Sequence, residues 1–68
     1  MDQLLDQIGG NIKKYREIKD ITQQELSKIC RMHRNYIGSI EKGERNITVL
    51  SLAKIAQGLN IPVEHLLK

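Results

Sequence analysis

The chain has no phenylalanine and no tryptophan, one cysteine, one proline and two tyrosines among its 68 residues. With aromatics this scarce, a core has to be assembled from Ile, Leu, Val, Ala and Met. The lone Cys30 excludes an intrachain disulfide and suits a reducing compartment, the cytoplasm. No stretch reaches the roughly 18 consecutive apolar residues of a membrane span, and Met1-Asp2-Gln3 opens no signal peptide, so no membrane partner is expected. A chain this short makes one domain, residues 1–68, and buries only about 60% of its unfolded surface. Such domains are usually stapled by disulfides, a structural metal or a partner subunit. Oligomerisation is the staple expected here.

Lys and Arg total 11 against 8 Asp and Glu, a net charge of +3. Between Lys28 and Arg45 the basic residues are Lys28, Arg31, Arg34, Lys42 and Arg45, and the acidic ones only Glu41 and Glu44. That window therefore carries the whole net charge, and the remainder of the chain is neutral. Scattered Lys and Arg usually mean a solvated face. A basic segment inside a neutral domain is also the footprint of a polyanion partner.

Apolar residues recur at helical spacing nearly throughout, and no stretch alternates with period two. Ile8, Ile12 and Tyr15 share one face, with Ile18 close to it. Gly9-Gly10 is a poor helix interior, which predicts a loose lead-in over 1–8 and a regular helix from about Asn11. Thr22-Gln23-Gln24-Glu25 fits a capping box and predicts a helix to Cys30 that turns Leu26, Ile29 and Cys30 inward. A third helix is expected from His33 to about Lys42, burying Ile37 and Ile40 and ended by Gly43. Thr48 caps a fourth, with Val49, Leu52, Ile55, Ala56 and Leu59 as its apolar positions, closed by Gly58-Leu59-Asn60. Pro62 opens a short last helix with Val63, Leu66 and Leu67. The expectation is an all-α, compact four- to five-helix domain.

Two short helices joined by a tight turn, the second of them basic, form a helix-turn-helix over about 22–42. Thr22-Gln23-Gln24-Glu25-Leu26-Ser27 followed by Arg34-Asn35-Tyr36-Ile37-Gly38-Ser39-Ile40-Glu41-Lys42-Gly43 resembles the Xre/Cro-type DNA-binding domains of phage repressors. The resemblance covers nearly the whole chain, from Ile8-Gly9 through Ile12 and Arg16 to Leu59-Asn60-Ile61-Pro62-Val63-Glu64-His65-Leu66-Leu67. Arg45-Asn46-Ile47-Thr48 with Ser51-Leu52 is especially similar to the controller proteins of restriction–modification systems.

In this motif the N-terminal residues of the second helix meet base edges in the major groove. With Ile37 and Ile40 facing the core, Arg34, Asn35, Gly38 and Ser39 fall on the DNA side. Arg34 suits guanine O6 and N7, and Asn35 suits adenine N6 and N7. The bland alternatives are a phosphate contact or free solvation for Arg34, and a helix-terminal hydrogen bond for Asn35. Gly38 costs a helix about 1 kcal/mol relative to Ala, which is explained if it lets the helix approach the groove floor. The resemblance implies that Gln23 clamps a phosphate and that Arg45 and Asn46 grip the backbone; Lys42 belongs with this phosphate-facing basic segment. Tyr36 either offers its hydroxyl to a phosphate or packs at the domain edge. His33 stands where the family usually has Ser or Thr, and caps weakly, touches phosphate when protonated, or does neither. Arg16 and Glu41 match positions that form a partly buried structural ion pair in the family. Arg31 and Asp20 replace frequent glycines, and Arg31 puts strain on the turn between the motif helices.

Cys30-x-x-His33 offers two ligands with no third nearby, so no metal site is assigned. No phosphate loop or catalytic constellation is present and the chain offers little room for an enclosed pocket, so neither cofactor nor small-molecule ligand nor enzymatic activity is expected. The expected partners are a double-stranded, pseudo-palindromic operator and a second copy of the chain, joined through Leu50, Ile61, Val63 and Leu66 within the 48–67 region, with RNA polymerase added if the protein activates. The competing reading is an antitoxin whose main partner is a toxin. Antitoxins of this fold usually carry an extra segment, and an ending at Lys68 favours the regulator.

Overall fold

The structure, a computed structural model, describes residues 3–68. Four α-helices, α1 (Gln3–Ile18), α2 (Gln23–Cys30), α3 (Arg34–Glu41) and α4 (Val49–Leu59), are followed by a 3₁₀ turn over Val63–Leu66. No strand occurs among the described residues. The helix starts are built by local side chains. Thr22 Oγ1 accepts from the Glu25 backbone N–H at 3.1 Å while the Thr22 N–H donates to Glu25 Oε1 at 2.8 Å, completing the capping box. Thr48 Oγ1 caps α4 by accepting from Ser51 N at 3.0 Å.

All four helix ends share one device, a residue in the left-handed region: Asp20 (φ 58°), Arg31 (56°), Gly43 (74°) and Asn60 (57°). After each of them the next N–H reaches back to the last turn, as Ile21 N does to Arg16 O (3.0 Å) and Met32 N to Ser27 O (2.9 Å). Only one of the four is the glycine that this conformation favours. Arg31 thus adopts the strained turn its sequence position predicts, and the bond from Met32 N holds the helix-turn-helix angle despite it.

The core is aliphatic. Ile12, Leu26, Ile37, Ile55, Leu59 and Leu66 have no exposed surface, and Ile8, Ile40, Leu52, Ala56 and Cys30 complete the cluster. α1 lies against α3 and the closing turn, and α4 against α2 and that same turn.

Four expectations need correction. Met1 and Asp2 of the expected loose lead-in lie outside the described residues, and its described part, 3–8, is not loose: α1 is continuous from Gln3, through Gly9-Gly10. Gly9 is there because α1 crosses the C-terminal end of α3 with no room for a side chain. A Cβ on Gly9 would collide with the Ile40 carbonyl oxygen and stand 2.8 Å from that of Glu41. Tertiary packing here outweighs the propensity of glycine against helix. Ile29 points outward and is half exposed, because Leu26, Ser27 and Cys30 take the inward stripe of α2 and position 29 lies about 110° away from its centre. The last helix is a single 3₁₀ turn. Finally, Leu66 is fully buried within its own protomer; Asn11 Nδ2 fastens this end to α1 by donating to the carbonyls of Leu66 (3.0 Å) and Lys68 (3.3 Å). It therefore carries no part of an outer surface.

Candidate nucleic-acid interface

The α2–α3 unit is joined by Arg31, Met32 and His33, and α3 sets its apolar side, Ile37 and Ile40, into the core. Its opposite side is thereby turned outward. Arg34, Asn35, Gly38, Ser39 and Lys42 line one open cleft of about 340 Å³, and Gln23 from the first turn of α2 forms the remaining wall. Six residues singled out in the sequence, five on α3 and its end and one on the preceding helix, thus lie together on a single surface.

The chemistry of that wall is mixed donor and acceptor. The Arg34, Asn35 and Lys42 side chains are exposed and make no contact with other described residues that would hold them back from a ligand. Ser39 Oγ donates to the Asn35 carbonyl at 3.0 Å, which leaves its lone pairs facing out. Among the described residues the one salt bridge is Arg16–Glu41, so Arg34, Lys42 and Arg45 present uncompensated positive charge. Gly38 is not required by packing within the protein. A Cβ added there would meet Gln23 Oε1 at 3.6 Å, an ordinary contact.

Beneath the cleft lies the Arg16–Glu41 pair, bidentate at 2.7 Å (Nε to Oε2) and 3.1 Å (Nη2 to Oε1). The side chains are 11% and 3% exposed, so the pair is nearly dry. Arg16 Nη1 also donates to the Ile21 carbonyl at 2.9 Å, tying the pair to the α1–α2 junction. Hydrogen bonding to Glu41 raises the Arg16 pKa above its ordinary value. Gln23 Nε2 joins the same carboxylate, donating to Glu41 Oε1 at 2.9 Å. That third bond was not foreseen, and no local pattern signals it, because the partners are 18 residues apart.

His33 is the N-cap of α3: its Nδ1 accepts from Asn35 N at 3.3 Å. In the neutral ring the proton then sits on Nε2, facing solvent. Tyr36 is half-buried against the core, and the Arg45 guanidinium sits 5.3 Å from its ring centroid, a cation–π contact that holds the loop after α3 beside the cleft. Asn46 is exposed on that loop. Of the residues assigned to a dimer surface, Leu50 (69%) and Val63 (38%) are exposed and Ile61 is partly so, with Val49 (84%) and Leu67 (44%) as further exposed apolar residues. No described helix is long and apolar enough to cross a membrane. Cys30 is buried, its thiol donates to the Lys54 carbonyl at 3.6 Å, and burial pushes its pKa up, which makes it an inert core side chain.

Residues 12–66 match the family described as helix-turn-helix. The control protein C.SmaI of Serratia marcescens is 44% identical over 60 residues, which span 88% of this chain and 71% of that protein. Among solved structures, the restriction–modification controller protein C.AhdI from Aeromonas hydrophila superposes with a TM-score of 0.89 at 29% identity, over 91% of this chain and 94% of that one. The restriction–modification controller protein C.Esp1396I, crystallised as a tetramer with its natural 35 base-pair operator, superposes over the full length of both chains with a TM-score of 0.87 and 33% identity.

Proposed function

The chain belongs to the helix-turn-helix family, among the restriction–modification control proteins, and on that premise we propose that it is a homodimeric transcription regulator of a pseudo-palindromic operator. The observation that carries the reading is the single outward surface where Arg34, Asn35, Gly38, Ser39, Lys42 and Gln23 converge on uncompensated positive charge. α3 enters the major groove, Arg34 and Asn35 read base edges, and Gly38 and Ser39 let the helix approach closely. Lys42, Arg45, Asn46, the Nε2–H of His33 and the Tyr36 hydroxyl address phosphates and set the register. The protein works in the cytoplasm as a binding module and has no enzymatic role.

A protomer of 28 × 23 × 21 Å covers only a few base pairs, too few for selectivity. Two copies related by a two-fold axis read half-sites about 34 Å apart on one face of the duplex. Exposed Leu50 and Val63, with the partly buried Ile61, supply the apolar part of that isologous contact. RNA polymerase is a second partner where the bound dimer activates. Selection of binding sites from a random DNA pool, followed by a salt titration on the selected site, tests the reading. The expected result is an inverted repeat and an affinity falling with log[salt] at a slope of about −0.9 for each phosphate neutralised. A pool that acquires no consensus refutes it, and sedimentation that shows only monomer at tens of micromolar refutes the dimer.

A further inference from the structure

The hydroxyl of Ser39 has its one proton already engaged. Oγ lies 3.0 Å from the Asn35 carbonyl oxygen, one helical turn back on α3. A carbonyl oxygen only accepts, so the hydroxyl donates there. No described residue donates to Oγ in return, and Ser39 lines the same open cleft as Arg34 and Asn35. What Ser39 offers a ligand is therefore an acceptor.

That decides which partners bind with a net gain. A group that donates to Oγ adds a hydrogen bond while the one to Asn35 stays in place. A group that must accept from Oγ, such as a phosphate oxygen, guanine O6, thymine O4 or a purine N7, first breaks the bond to Asn35 and ends with none gained. A hydroxyl that is donating is also the stronger acceptor. In the major groove the hydrogen-bond donors on base edges are the exocyclic amino groups, adenine N6–H and cytosine N4–H. The reach fits as well. A serine hydroxyl stands one bond beyond Cβ, so it meets a base only where the helix backbone lies close to the groove floor. The neighbouring Gly38 permits that approach, and packing within the protein does not require a glycine there. We propose that Ser39 is a specificity-determining residue, reading one exocyclic amino group in each half-site through its lone pairs. Ser39 lies about 6 Å beyond Asn35 along α3 and base pairs are about 3.4 Å apart, so the pair it reads is within about two steps of the one Asn35 reads. The inference rests on the reading of this surface as the DNA face.

Binding-site selection with wild type and Ser39→Ala tests it, followed by deletion of single groups from the selected operator. Alanine is the better helix former and Ser39 is only partly buried, so the variant folds. In Ser39→Ala the consensus relaxes at one position per half-site, and affinity for the wild-type operator falls about twofold to tenfold. At that position the amino group is then removed, with purine in place of adenine or 2-pyrimidinone in place of cytosine, which also tells the two bases apart. The removal weakens wild type about twofold to tenfold more than it weakens Ser39→Ala, a difference that cancels the cost of the poorer base pair. A 7-deazapurine, which lacks N7, weakens both proteins alike. If loss of N7 instead acts on wild type alone, or loss of the amino group acts on both proteins equally, Ser39 does not accept from an amino group and the proposal is overturned. A Ser39→Ala pool that keeps the full consensus overturns it too, and an affinity lowered on all sequences alike would then mark a phosphate contact. A wild-type pool with no consensus overturns the DNA reading itself, which is a distinct outcome.

Discussion

Replacing Gly38 by alanine separates stability from function in opposite directions. Gly38 has helical backbone in the interior of α3, where alanine is favoured by about 0.8–1.0 kcal/mol. The added methyl meets no backbone, and its nearest neighbour is the far end of the Gln23 side chain at 3.6 Å. Nothing offsets the propensity gain, so the free protein becomes more stable by about 0.5–1 kcal/mol. At about 2.1 cal/mol/K of unfolding entropy per residue, this raises Tm by about 3–7 °C for a domain of this length. The same methyl projects into the cleft between Gln23 and the α3 residues that face DNA. If the helix lies on the groove floor it must back away, and operator affinity falls at least tenfold, about 1.4 kcal/mol. The assay is a thermal melt at fixed protein concentration, so that dimerisation does not move Tm, paired with fluorescence anisotropy on the selected operator. A lower Tm would show that the local packing is misread. A higher Tm with unchanged affinity would show that Gly38 does not face the groove.

Gly9→Ala should act in the opposite sense to Gly38→Ala, despite an equal propensity gain. Its methyl runs into two α3 carbonyls, and overpacking of this kind costs about 1–3 kcal/mol, which a denaturant melt will show as a loss of stability. Glu41→Ala leaves Arg16 buried without its partner and should lower stability by about 3 kcal/mol or more, so that operator binding is lost through unfolding; a variant melting like wild type would contradict the structural role. Arg34→Ala should cost about 1–3 kcal/mol and relax preference at one operator position, whereas Arg45→Ala should weaken all sequences alike and reduce the salt slope by about one. Hydrogen bonds from the Thr22 backbone and hydroxyl lower the Glu25 pKa below its ordinary 4.5. A depressed folded-state pKa means that this contribution is present above the unfolded value and lost as pH falls through the folded one. Glu25→Gln is therefore less stable than wild type at neutral pH, and the difference narrows in acid melts below about pH 4.5.

Much of the α2–α3 surface was legible because its signals are local. Ile37 and Ile40 orient α3, and with that the outward positions of Arg34, Asn35, Gly38 and Ser39 follow from helical geometry alone. The same rule failed for Ile29. On a helix of eight residues two inward stripes fit the pattern equally well, and only the neighbouring helices choose between them. His33 as a cap illustrates an intermediate case. Its position before the helix was plain, and the bond from Asn35 N settles which nitrogen is engaged.

The sequence alone determined the all-α class, the capped starts of α2 and α4, most of the aliphatic core and the concentration of charge between Lys28 and Arg45. Each of these depends on residues within a turn or two of one another, so periodicity, capping chemistry and counting suffice. The tertiary structure decided what depends on distant partners. Gly9 reads as a helix breaker until α3 is laid across it, and Leu66 reads as a dimer contact until its carbonyl is met by Asn11, 55 residues away. Gln23 reads as a phosphate clamp by resemblance alone until the Glu41 carboxylate, already committed to Arg16, takes up its Nε2 end. Orientation of that kind is set by the partner's chemistry, and the partner comes within reach only once the chain has folded.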